Sequence, residues 1–71
     1  MHKINECLIV QAQFKAGAQV HNVNTVIGTY KNWAQMIERF GAKPSYIDAM
    51  QVQEQKLRKF ISTGILDMKS R

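Results

Sequence analysis

The chain has 71 residues, 45% hydrophobic and 21% charged, with ten Lys plus Arg against five Asp plus Glu for a net charge of +5. That length leaves room for one domain, near the size at which a single core is marginal without a metal, a disulfide or a partner chain, so dimerisation is expected from size alone. No apolar run approaches the roughly 18–20 residues that a bilayer span needs, and lone Cys7 cannot close an intrachain disulfide, so the expectation is a soluble protein of a reducing, cytoplasmic compartment.

The first segment, residues 3–16, reads in two ways. As a helix it gathers Ile4, Cys7, Leu8, Val10 and Phe14 on a broad apolar side, with Cys7 as a small buried hydrophobe. As a strand, Val10-Gln11-Ala12-Gln13-Phe14-Lys15 alternates cleanly, with Gly17 for a turn and Ala18-Gln19-Val20-His21 as the return. The helix is favoured by its Ala, Gln, Leu and Lys content. Cys7-Leu8-Ile9-Val10 is too short for the apolar part of a signal peptide and lacks a basic leader, which points away from export. On the helical reading Gly17 ends the segment and Ala18 to Asn22 cross to the next helix, with Asn22 or Asn24 as its cap and His21 in the lead-in.

The second segment carries the strongest pattern. Val23, Val26, Ile27, Tyr30, Trp33, Ala34, Ile37 and Phe40 recur at steps of three and four, while Asn24, Thr25, Gly28, Lys31, Asn32, Gln35, Glu38 and Arg39 fall on the other side. This segregation predicts a helix over residues 24–40, with Gly28 a candidate kink or break because glycine costs about 1 kcal/mol in a helix interior. Gly41-Ala42-Lys43-Pro44-Ser45 then interrupts it, since glycine accepts conformations that end helices and proline cannot continue one.

A third helix is predicted over residues 46–62. Ser45 and Asp48 have the spacing of a capping box, and Tyr46, Ile47, Met50, Leu57, Phe60 and Ile61 form an apolar side interrupted by Gln53 and Glu54. These two polar residues either set register in a helical dimer or lie at the edge of the core. Thr63-Gly64 stops the helix, leaving residues 65–71 as a docked turn or a frayed tail. The expected fold is all-α, one small three-helix domain built on an antiparallel helical hairpin.

Chemistry-bearing clusters are absent from the sequence. Two histidines, one cysteine and five scattered carboxylates offer no zinc spacing, nucleophile elbow or phosphate loop, so neither an enzyme nor a cofactor or metal is expected. The positive balance favours an anionic partner, and it concentrates in Lys56, Arg58, Lys59, Lys69 and Arg71, with a thinner group at Lys31, Arg39 and Lys43.

The run from Met36 to Met50 resembles the helix-turn-helix core of phage and bacterial repressors: Phe40, Gly41, Ala42, Ile47 and Met50 occupy that family's turn and locking positions. The resemblance implies a recognition helix after Gly41, with Lys43, Ser45 and Tyr46 at its groove- or phosphate-contacting end. Asp48 would repel phosphate there and reads as a cap. A second stretch, Gly17 to Gly28, resembles the first helix and turn of transposase-type helix-turn-helix domains, which would break the second helix at Gly28. Without any such family, the same periodicity describes a plain hairpin with Tyr30, Trp33 and Phe40 in its core or in a dimer interface.

Two functions follow. The first is a small, dimeric regulator of the phage or plasmid kind that binds double-stranded DNA, with Lys43, Ser45, Gln51 and Gln55 reading the groove and Lys31, Arg39, Lys56, Arg58 and Lys59 on phosphates. The second is a helical interaction module, an inhibitor, adaptor or assembly factor, that docks on a partner protein through an amphipathic face. RNA binding is a third, lesser alternative, and no membrane partner is expected.

Overall fold

The computed structural model describes residues 4–67, all of whose regular structure is helical; expectations falling on His2, Lys3, Lys69 and Arg71 lie outside the described residues. Helix α1 spans Glu6–Ala16, a 3-10 turn covers Gly17–Gln19, α2 spans Val20–Phe40 and α3 spans Pro44–Thr63. The strand reading of the first segment is thereby excluded.

Asn5 starts α1. Its side chain accepts from the Leu8 N–H at 3.0 Å, satisfying a first-turn donor that has no carbonyl partner. Glu6 in the first turn and Lys15 in the last complement the helix dipole. Gly17 ends α1 at φ 52°, a conformation that residues with a Cβ rarely adopt. Contrary to the expected crossing segment, the 3-10 turn runs straight into α2, where the Val20 N–H bonds to the Gly17 carbonyl. Asn22 and Asn24 therefore cap nothing; they and His21 lie inside α2, whose N-cap Gln19 makes no side-chain capping bond.

Helix α2 continues unbroken through Gly28, so the transposase-type break does not occur. Thr25 and Thr29 hydroxyls bond back to the carbonyls of His21 and Thr25, each at 3.0 Å, so the polar residues before and after Gly28 hold helical carbonyls. The missing Cβ of Gly28 would meet nothing, consistent with its place on the solvent side.

Gly41 reverses the chain at φ 96°, its N–H closing on the Ile37 carbonyl at 2.9 Å. Lys43 is the N-cap of α3, and Pro44 takes the first helical position, where its missing N–H costs nothing. The Tyr46 and Ile47 N–H groups both donate to the Lys43 carbonyl at 3.0 Å. The predicted Ser45–Asp48 capping box is thus not formed: the proline moves the helix start one residue ahead of Ser45, and no side chain caps it. At the other end Gly64 stops α3 in the left-handed conformation, as expected, its N–H bonded to the Phe60 carbonyl.

Helices α2 and α3 pair side by side. The Tyr30 hydroxyl donates to Glu54 Oε2 at 2.7 Å, and both residues stand well along their helices from the turn, so the pair is an antiparallel hairpin. Near the turn, Trp33 and Tyr46 meet with ring centroids 5.6 Å apart and tilted by 39°. Helix α1 lies against both, and Leu8, Ile9, Ala12 and Ala16 from it join Val23, Val26, Ile27, Tyr30, Ala34, Ile37, Met50, Leu57 and Phe60 in one core. Alanines at two of the four inward positions of α1 let it approach the hairpin closely.

The predicted apolar side of α1 holds only in part: Leu8 is buried and Ile4 packs against the core, but the other three residues face out. Cys7 is exposed, and Val10 and Phe14 keep 62% and 93% of their surface in solvent. Apolar residues surround this helix, so periodicity does not select a side; the close-packed seam takes the one with small residues. Phe40 is also 55% exposed, because it ends α2 beyond the last core residue, Ile37. Glu54 and Gln53 are half-buried at the core edge. Glu54 is used within the chain, by Tyr30, rather than offered to a second helix.

Candidate nucleic-acid interface

The outward side of α3 collects most of the residues expected to touch DNA. Ser45, Gln51, Gln55, Arg58 and Lys59 are all exposed and recur at helical spacing on the side away from Met50, Leu57 and Phe60. Lys43 adds a cation at the N-terminal end, its Nζ 5.5 Å from the centroid of the Tyr46 ring. That contact holds the ammonium over an aromatic face and leaves Lys43 exposed. Arg39, exposed in the last turn of α2, stands close to the same turn.

Charge on this side is uneven. Arg58 is 3.9 Å from Glu54 Oε1, a long and mostly solvated pair one helical turn apart. Lys59 is exposed and Lys56 half-buried, so these two carry the free positive field near the C-terminal end, with Lys43 at the other end. Asp48 interrupts the face after Ser45 and is exposed. From Lys43 to Lys59 the helical rise amounts to about 24 Å. Cations therefore bracket the amides Gln51 and Gln55 on one side of a single helix.

Lys31 stands apart. It faces the α1 side of α2, lining a shallow hollow of about 170 Å³ with Ile4, Ala34, Gln35 and Glu38. A second hollow, of about 190 Å³, lies between Lys31 and Glu6, Ile9 and Val10. Both fall below the roughly 300 Å³ at which small-molecule sites begin. No cluster of metal-ligating side chains occurs among the described residues, and no described helix is long and apolar enough to cross a membrane.

Four polar contacts escaped the sequence. The Tyr30 hydroxyl accepts from the Asn5 N–H at 2.9 Å while donating to Glu54, so one phenol ties the starts of α1 and the middles of α2 and α3 together. Burial, and after it the bond to Glu54, raises the Tyr30 pKa above its ordinary value of 10.0. Lys15 donates to the Ile61 carbonyl and Gln19 to that of Gly64, covering the last turn of α3. The partners in each case lie more than twenty residues apart, beyond any local pattern. Comparison with family models, with curated proteins and with solved structures gives no match.

Proposed function

We propose that the chain is a small DNA-binding regulator that lays the outward side of α3 along a duplex groove. The observation that carries this reading is the bracketed arrangement on α3: exposed Gln51 and Gln55, with Lys43 at one end and Lys56, Arg58 and Lys59 at the other. Amides are suited to base edges, adenine above all, and flanking cations to the phosphates on either side of the groove. The three-residue turn Gly41-Ala42-Lys43 has the length and the glycine of a helix-turn-helix. Because α2 and α3 run side by side beyond it, the contact would use the middle of α3 more than its first turn. Lys31, on the far side, would contribute only to the general field.

Fluorescence anisotropy with a mixed-sequence duplex tests this. Binding should weaken steeply between low and moderate salt, because each phosphate neutralised releases counterions. Changing Lys56, Arg58 and Lys59 together to Glu should abolish it. Absence of binding at low salt would overturn the proposal.

A protein-docking function draws on a different observation, the solvent-facing apolar residues Cys7, Val10 and Phe14 of α1. A module of that kind would lose little on charge reversal in α3 and much on Phe14→Glu.

A further inference from the structure

The outer side of α1 is apolar without being covered. Cys7, Val10 and Phe14 follow one another at steps of three and four, opposite Leu8, Ile9, Ala12 and Ala16, and so form a single stripe. Isolated exposed apolar residues are ordinary on any protein surface. A stripe filling the free side of an 11-residue helix is a docking face.

We propose that a second copy of this chain covers it, with the two α1 helices antiparallel and a two-fold axis passing between Val10 and Gln11. The spacing of the stripe is self-complementary about that point, Cys7 standing as far before it as Phe14 stands after. In an antiparallel pair the Phe14 ring of each copy comes to the level of the small Cys7 side chain of the other, and the two Val10 side chains meet at the axis. Bulk opposes gap at both ends, as an isologous interface requires. A parallel pair would instead oppose Phe14 with Phe14 and Cys7 with Cys7.

Electrostatics selects the same direction. The helix carries one acid in its first turn, Glu6, and one base in its last, Lys15. Lys15 reaches back to the Ile61 carbonyl of α3, so the direction rests on the helix dipoles, which antiparallel packing opposes and parallel packing aligns. Lys56, Arg58 and Lys59 belong to α3 and not to this stripe, and the cation beside Val10 is Lys31, which shares its hollow with Glu6.

The size of the face sets the strength. Helix α1 is only about 16 Å long, and three side chains offer less than the roughly 800 Å² per partner of a standard stable interface. The pair is therefore a reversible dimer that grows with concentration. It does not depend on the DNA-binding reading, and its test contains no nucleic acid.

Sedimentation equilibrium across micromolar to millimolar protein, together with oxidative cross-linking, tests both the pairing and its direction. The two Cys7 thiols of an antiparallel pair are separated by about 10 Å along the axis, beyond disulfide reach, so the natural chain should dimerise while cross-linking slowly. Gln11→Cys in a Cys7→Ala background places thiols beside the axis and should cross-link at least tenfold faster. Phe14→Glu should abolish dimerisation with an unchanged helical circular-dichroism signal, because Phe14 contributes nothing to the core. A monomer at every concentration, dimerisation that survives Phe14→Glu, or Cys7 cross-linking as fast as the Gln11→Cys variant would each overturn the proposal.

Discussion

The α2–α3 hairpin and helix α1 bury apolar residues under different rules. Along the hairpin, polar and apolar residues are sharply segregated, and nearly every position that periodicity assigns inward is buried or half-buried, with Tyr30 and Leu57 fully enclosed. Around α1, Ile4, Cys7, Leu8, Ile9, Val10, Ala12, Phe14 and Ala16 leave no side clearly polar, and the pair of alanines turns inward while phenylalanine turns out. Contrast decides orientation in the first region; fit decides it in the second. A helix that must nestle between two others is oriented by what can come close, and a methyl group comes closer than a ring.

Substitutions can break that contrast in order of size. Leu57→Ala removes a fully buried side chain from the hairpin and should cost about 2–5 kcal/mol, enough to leave this small domain partly unfolded at room temperature, as thermal or urea melts followed by circular dichroism would register. Ala12→Leu tests the fit rule: Ala12 is fully buried, and three further carbons at the seam should cost about 1–3 kcal/mol despite the better helix-forming, more hydrophobic residue. A neutral or stabilising result would mean that α1 is not held closely.

Tyr30→Phe comes next. It keeps the ring and removes the hydroxyl that joins Asn5 to Glu54, for an expected loss of about 1–2 kcal/mol. The same phenol gives a pH signature. Its pKa is raised in the folded chain, chiefly by burial, so the folded state holds this proton more tightly than the unfolded state does. Stability from this source is complete below the ordinary tyrosine value of 10.0 and declines as pH rises through the folded value. Alkaline titration above that point should therefore unfold the natural chain more steeply than Tyr30→Phe. Smallest of all should be Phe14→Ser, within about 0.5 kcal/mol of neutral, because the ring is almost wholly solvated in the single chain. A large loss measured at low concentration would place Phe14 in the core after all.

The helical hairpin was legible from Val23 to Phe60 because every signal there agreed: period, polarity, the Gly41 reversal and the Pro44 restart. Details failed where two local rules competed. Asn22 and Asn24 are good caps, yet the Gly17 turn had already launched the helix; Ser45 and Asp48 are spaced as a capping box, yet proline occupied the first helical position. The candidate interface was partly legible in the same sense. Ser45, Gln51, Gln55, Arg58 and Lys59 share a side by helical spacing alone, whereas the separation of Lys31 from them depends on which flank of α2 receives α1, and that is a tertiary fact. The links from Lys15 to Ile61 and from Gln19 to Gly64 join segments that no sequence window spans.

Those last two links bear on the order in which the molecule can be assembled. Helix α1 precedes the hairpin in the chain, yet the carbonyls that Lys15 and Gln19 engage belong to residues 61 and 64, which lie 46 and 45 positions further on. The hairpin, closed by a three-residue turn, can zip from contacts near in sequence and therefore quickly. Until it does, the inward alanines and Leu8 and Ile9 have no seam to occupy, and a chain cut short before Ile61 should leave α1 undocked. A growing chain thus carries α1 as an undocked, largely apolar segment until α3 has formed, open to chaperones or to the same helix of a neighbouring chain.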